Sequence, residues 1–547
     1  QPEPGVMHRM GICTETIGWN ATSATGVVAA GAAEAVAAGI SLLEAGGNAA
    51  DAAVATIFAL NVTDHGDCSI GGEVPLIIHE ARTRQTKVLC GQGRAPRSED
   101  AIAWYMRHGI PDDIKMAPVP SVVDLCITTL QRYGTRSLSD VVAPALALLD
   151  AGSEEWQPKL AHTLRRMVEE ERITTGTREE KLQAACDRFY GRHASRNDIA
   201  DELEAYWIER GGFLRRADLA AHRTTIEEPV RANYRGYNVC KCGPWTQGPF
   251  LCQTLRLLEG FDLSAMGRLS PDAIHVATEA LKLALADRDE YYGDPEFVRV
   301  PLAALLSDHY TAIRRTLIDM NKASLEVRPG DPDGMKPLKK GGLFRPGVGG
   351  TTTCVVADRW GNVVSATPSA NVPKTPRDGG KAGVTYGNRL RSLNTTPGHP
   401  NRIAPGKRPR ITLTPTLVLK DGKPVIAISV AGGDLQDQVT LNLLLNAIDY
   451  GMAPAAAVTA PRFATAHHED SFDPDPDRQK TFKETGSLRI NDRVSEATRE
   501  ELVRRGHSVH VASGPIGHPV MLAINPETGL FHAAGDPAAG RHAAGLE

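Results

Sequence analysis

Residues 24–60 are dense in alanine and small apolar residues, with a break at Gly46-Gly47, which predicts two alanine-rich helices. Asn48-Ala-Ala-Asp51 supplies an N-cap with an acidic residue at the third helical position, so the second helix starts there and runs to Leu60. Residues 75–79 and 87–90 are short apolar runs of strand type and read as a pair. From Ser121 to Leu219 the pattern is helical, with a strongly charged stretch at 165–216. Residues 234–241 read as a strand, and 270–292 as a long helix ending near Gly293-Asp-Pro295. Residues 328–350 turn to Gly, Pro and Lys without periodicity, a surface linker.

Beyond the linker, strands dominate. Thr352–Val356 leads through the turn Asp358–Asn362 to a strand at 363–369. Thr416–Leu419 and Val425–Val430 are joined by the hairpin signal Lys420-Asp-Gly-Lys423. Gly432-Gly433-Asp434 then opens a helix to about Tyr450 that stops at Gly451. Strand pairs flanked by helices predict a layered α+β fold.

Composition removes several classes of function. With 41% hydrophobic and 23% charged residues the 547-residue chain is a folded protein, long enough for two domains or one large two-lobed unit. A net charge of −4, with both signs interspersed, gives no basic field for nucleic acid or a membrane surface. Nine scattered cysteines form no disulfide framework and point to a reducing compartment. The first ten residues lack the basic and apolar regions of a signal peptide, and no apolar run reaches membrane-spanning length. The expectation is a cytoplasmic protein.

Candidate chemistry centres on Gly347-Val-Gly-Gly-Thr-Thr-Thr353. A threonine becomes a nucleophile when a base takes its proton, and its own α-amine can be that base if the chain is cut just before it. Glycines 349 and 350 permit the strained backbone such a self-attack needs. The same glycines also suit an ordinary loop before a strand. A phosphate-loop reading fails because no Lys precedes Thr351. Gly432-Gly433 at a helix start offers free N–H groups to an oxyanion, or simply a tight turn. Elsewhere the bland readings win. The 467–470 run His-His-Glu-Asp is expected in a solvated loop, Arg165 to Arg172 on a solvated helix face, and Cys240 and Cys242 as half-buried strand residues without zinc spacing. His65 and Asp67 are pocket or structural residues.

Together these pieces resemble one family, the gamma-glutamyltranspeptidase-like N-terminal nucleophile hydrolases. The matching segments are Gly46–Val54, Gly71-Gly72, Leu283–Pro295, Thr351–Asn362, Thr367-Pro-Ser-Ala-Asn371, Lys407–Thr416, Asp449-Tyr-Gly451 and Ala460-Pro-Arg462, in that order along nearly the whole chain. The resemblance implies a four-layer αββα sandwich, α+β in class, formed jointly by fragments 1–350 and 351–547 after self-cleavage between Gly350 and Thr351. The fragments would stay together as a heterodimer, or as a dimer of heterodimers. It also implies Thr351 as nucleophile, Ser369 as the hydroxyl assisting its amine, Asn371 as a substrate contact, and Gly432 and Gly433 as the oxyanion pair. No cofactor or metal is implied.

Departures from the family pattern bear on substrate. Gln92 of Gln92-Gly-Arg-Ala-Pro96 stands where relatives place an Arg for the glutamyl α-carboxylate, and Gly387-Asn-Arg-Leu-Arg391 replaces the acidic segment that holds the α-amine. Two arginines there would repel an ammonium. Pro244–Pro249 and Gly433–Gln438 instead resemble the oxamate amidohydrolase branch. Arg94, Arg389, Arg391 and Thr412, with Gln92, are then the expected contacts of a small carboxylate-bearing amide. Two alternatives stand beside this expectation, a gamma-glutamyl hydrolase or transferase and an unprocessed binding homologue.

Overall fold

Successive strand residues face opposite ways, so a strand buried on both sides must be apolar throughout. Along Cys354–Asp358, Cys354 and Val356 pack into one apolar cluster and Val355 and Ala357 into another. The same division holds in Gly26–Ala30 and Leu76–Glu80. These belong to an antiparallel sheet whose order is His542–Gly545, Gly26–Ala30, Cys354–Asp358, Val363–Ala366, Leu76–Glu80, Gln85–Cys90, Thr225–Glu227. A second antiparallel sheet runs Asn20–Ser23, Phe531–Gly535, His518–Ile524, Lys423–Ala431, Thr416–Lys420, Tyr237–Lys241, Val230–Tyr234.

The sheets pack face to face through Val27, Ala29, Ile77, Val355 and Ala357 from the first and Leu417, Ala427, Val520, Leu522 and Ala533 from the second. The outer face of the first sheet is covered by helices Ala33–Glu44, Ala49–Thr63 and those between Val122 and Glu209. Helices Pro249–Leu258, Pro271–Tyr291 and Gln436–Leu444 cover the second. The result is the expected four-layer αββα sandwich. The structure, a computed structural model, describes residues 14, 17–339, 351–372 and 378–547. Gly350 and the 340–350 part of the expected linker lie outside them. Strands from both sides of residue 350 pair within both sheets, so the described parts of segments 1–350 and 351–547 share one core.

Several local expectations hold. Asn48 and Asp51 form a reciprocal capping box at the start of Ala49–Thr63. The hairpin at Lys420–Lys423 joins Thr416–Lys420 to Lys423–Ala431. The helix after Gly432-Gly433 ends at Tyr450, its last turn widened to a π-helix at Leu445–Asp449.

Others need correction. Residues 24–30 are not helical: Gly26–Ala30 is a central strand, with Ala30 facing the packed helices and Ala29 the other sheet. The strand expected at 234–241 is two strands turned at Arg235-Gly236. The charged helix Trp156–Ile173 does not simply face solvent. Arg166, Glu170 and Glu171 are buried, with Arg166 held by Asp198 and Glu202 and Glu170 by Arg196. Cys240 and Cys242 are fully buried rather than half-buried. The described part of the linker is anchored, since Gly330 N–H donates to Asp287 and the Arg328 and Pro337 carbonyls accept from Arg314.

Candidate active site

Thr351, Thr352 and Thr353 lead into the central strand Cys354–Asp358, and all three are buried. Thr352 anchors the run: its N–H donates to the Pro368 carbonyl at 3.0 Å, and its hydroxyl to Asp64 Oδ2 at 2.6 Å. That fixes Thr351 beside the neighbouring chain at 367–371. Thr351 Oγ1 lies 3.0 Å from Ser369 Oγ.

Ser369 is itself pinned. Its N–H and carbonyl exchange 2.9 Å hydrogen bonds with the carbonyl and N–H of Glu73. Gly72 is required by this approach, because a Cβ there would lie 2.1 Å from the Ser369 carbonyl oxygen. Gly387 meets the same limit against Ala370 O. Ala370 and Asn371 N–H both donate to the Asp67 carbonyl, and Asn371 takes a left-handed φ of 55°, which Asn tolerates better than most residues. His65 stacks on Trp156 and bonds Thr385, and so forms part of the same wall.

Charge enters through Arg389, a fully buried side chain. Its Nε donates to Glu73 Oε1 and its Nη2 to Ser369 Oγ, each at 2.6 Å, while Nη1 reaches Thr412 Oγ1 at 3.5 Å. Phe472 covers the guanidinium at 5.1 Å. Burial raises the pKa of Glu73, and the facing Arg389 pulls it back.

The Gly-Gly turn adjoins Thr351 from the other sheet. Strand Lys423–Ala431 ends in Gly432 (φ 143°) and Gly433 (φ 60°), both in backbone regions that favour glycine. Three residues on, at the first position of helix Gln436–Leu444, Gln436 Nε2 donates to Thr351 Oγ1 at 3.4 Å. Behind the turn, Asp434 accepts from Arg288 and from Ser471, Ser471 Oγ accepts from Arg410, and Gln247 donates to the Thr412 and Gly433 carbonyls. Burial opposes the charge of Asp434, but Arg288, His468, Arg410 and Ser471 hold its pKa below the usual carboxylate range.

A hydroxyl at the start of a central strand, a second hydroxyl in contact with it, and a glycine turn at a helix start are the kinds of groups that acyl transfer uses. The gamma-glutamyltranspeptidase family model matches residues 35–177 and 149–546. The chain belongs to the gamma-glutamyltranspeptidase family. It is 30% identical to a glutathione hydrolase proenzyme of Bacillus subtilis (strain 168), over 93% of this chain and 89% of that one. It is 31% identical to acylase ACY 1 proenzyme of Pseudomonas sp. (strain SE83), over 94% and 92%. Its fold superposes on the crystal structure of a cephalosporin acylase from Bacillus halodurans with a TM-score of 0.78, at 25% identity, covering 100% and 99% of the two chains. It is an amide-cleaving enzyme of the N-terminal nucleophile type.

Within this family member, the residues singled out from the sequence divide into two groups. Thr351, Ser369, Arg389 and Thr412 form one hydrogen-bonded cluster, with Asn371 on the adjoining loop and Gly432-Gly433 joined to it through Gln436. Arg94 and Arg391 do not join that cluster. Arg94 is bidentate on Glu296 and also bonds the Gly406 carbonyl, while Arg391 donates to the Ile110 carbonyl. Gln92 is buried, with its amide donating to the Gly93 carbonyl. Residues 467–470, expected in solvent, are buried against the turn because Asp434, Asp289, His399 and Arg478 pair with their polar groups.

Glu73, Gln436, Ser471 and Phe472 were not singled out by their sequence context. Glu73 directly follows the quoted Gly71-Gly72, and Gln436 lies inside the quoted 433–438 segment, so both had a signal. Ser471 and Phe472 had none. Among the described residues no helix is long and apolar enough to cross a membrane.

Proposed function

We propose that the chain cuts itself between Gly350 and Thr351, that the resulting 1–350 and 351–547 fragments remain paired as a heterodimer, and that Thr351 is the nucleophile of a hydrolase for a small, carboxylate-bearing, oxamate-like amide. The carrying observation is the 3.0 Å contact of Thr351 Oγ1 with Ser369 Oγ, with Gln436, three residues past Gly433, donating to the same Thr351 oxygen at 3.4 Å. In each turnover the Thr351 hydroxyl gives its proton to its α-amine and the oxygen attacks the amide carbonyl. Gly432 and Gly433 N–H groups receive the oxyanion, the amine leaves with the proton, and water cleaves the ester. Names of relatives as proenzymes support the self-cleavage.

Arg389 supports the substrate reading. Its Nη1, whose bond to Thr412 is long, is the edge available to a substrate carboxylate, whereas an α-ammonium would meet a guanidinium. A gamma-glutamyl substrate is the second reading, favoured by the glutathione hydrolase relative. A panel of oxamate, related amides and a gamma-glutamyl anilide tests the choice on processed protein. Higher kcat/KM for oxamate-like amides is expected. Efficient gamma-glutamyl hydrolysis without such preference would overturn it.

A further inference from the structure

We infer that Arg389, held by Glu73, is a positioning residue that fixes the direction in which the Ser369 hydroxyl donates and so prepares Thr351 for attack. This rests on the proposal that Thr351 is the nucleophile.

A guanidinium has donors and no acceptor. The 2.6 Å bond from Arg389 Nη2 therefore occupies one of the two acceptor positions on Ser369 Oγ and biases the hydroxyl toward donating its own proton. Thr351 Oγ1, at 3.0 Å, is in place to receive it. A hydrogen bond received there stabilises the negative charge that grows on Oγ1 as its own proton passes to the α-amine. No bond to Ser369 or Arg389 is made or broken, and the proton count of the reaction is unchanged.

Three contacts make the arrangement directional rather than incidental. Glu73 Oε1 holds Arg389 Nε at 2.6 Å, and Glu73 and Ser369 are locked together by reciprocal backbone bonds of 2.9 Å. Acid, guanidinium and serine thus form one closed ring of bonds. Phe472 blocks a face of the guanidinium. Only a planar fork can serve Glu73 through Nε and Ser369 through Nη2 at once, which a lysine ammonium cannot reproduce. Carboxylate and guanidinium also neutralise each other, so the ring adds direction to the site without adding net charge.

The test is a double-mutant cycle on the full-length, self-processed protein, with oxamate and a gamma-glutamyl anilide as probes. Arg389→Lys and Ser369→Ala are made singly and together, and both kcat per processed molecule and the half-time of self-cleavage are read. Arg389→Lys is expected to lower kcat about 10–100-fold, the scale of one charge-assisted hydrogen bond, in addition to any rise in KM from the loss of its contact with a substrate carboxylate. In the Ser369→Ala background the same substitution should change kcat hardly at all, because its route to Thr351 is already gone.

Two results would overturn the inference: equal fold-losses in both backgrounds, or a loss confined to KM, which would make Arg389 a substrate ligand alone. If Arg389→Lys fails to fold, Glu73→Gln combined with Arg389→Met removes the pair without stranding a charge, and the same insensitivity to Ser369→Ala is required. Turnover surviving Thr351→Ala would sink the nucleophile proposal itself. A dead Thr351→Ala variant with a multiplicative cycle would sink only the role of Arg389.

Discussion

The space between the two sheets and the end of the sandwich around Thr351 are both buried, yet they are built from opposite chemistry. Between the sheets lie Val, Leu, Ile and Ala side chains such as Val355, Leu417 and Leu522. Around Thr351 lie Glu73, Arg389, Arg288, Asp434, Glu469 and Arg410, equally shut from water. The first region is held by non-directional burial and tolerates any apolar residue of fitting volume. The second is held by directional bonds, in which each charge costs desolvation that its partner must offset. A site needs this second kind of interior, because only directional bonds can aim hydroxyls and N–H groups at a reacting atom.

The comparison can be broken at four points, in falling order of effect. At the charged end, Asp437 pairs with Lys241 at 2.7 Å, both fully buried. Lys241→Met strands the carboxylate and should cost about 3–5 kcal/mol near neutral pH, read by denaturant unfolding. Burial pushes the Asp437 carboxyl up to about 6 from an ordinary 3.8, against the pull of Lys241 and Thr414. The folded protein therefore holds a proton that the unfolded chain has released between those values. Stability contributed by this group falls as pH rises from about 4 to 6, and Asp437→Asn should remove that slope.

In the apolar region, Leu522→Ala should cost about 2–5 kcal/mol through the cavity it leaves, with no pH dependence and little change in kcat per folded molecule. A pH-dependent loss there would blur the distinction between the regions. Gly433→Val should do the reverse, lowering kcat about 100-fold or more in a protein whose fold is kept, as oxyanion donors are displaced and the φ of 60° is strained. Unchanged turnover would place the oxyanion site elsewhere. Arg94→Ala removes a partly exposed pair with Glu296 and should cost about 0.2–1 kcal/mol, with KM unchanged. A raised KM for anionic amides would return Arg94 to the substrate.

The sequence made the first region readable and the second only in part. The runs Cys354–Ala357 and Val425–Ile428 within their strands are unbroken apolar stretches, so their burial follows from composition. Gly26–Ala30 was misread because alanine favours helices in isolation, and sheet pairing overrode that preference. Thr351 and Ser369 could be picked out from the sequence because their residue types suit such chemistry and, in order, resemble a family, and the structure brings their hydroxyls together. The 467–472 segment was not, since a polar run looks the same in solvent as in a paired interior. Its partners, Asp289, His399 and Asp434, lie far away in the chain. Arg389 was picked out for its charge, but the Glu73 that directs it is 316 residues distant.

The central claim is that Thr351 becomes a free N-terminus and attacks with its own hydroxyl. Intact-mass measurement with N-terminal sequencing of the purified protein tests it most directly. The account predicts two fragments, 1–350 and 351–547, the smaller beginning Thr-Thr-Thr-Cys, and a single uncut, inactive chain for Thr351→Ala. A fragment beginning at Thr352 or Thr353, or an uncut wild-type chain that still hydrolyses amides, would contradict it.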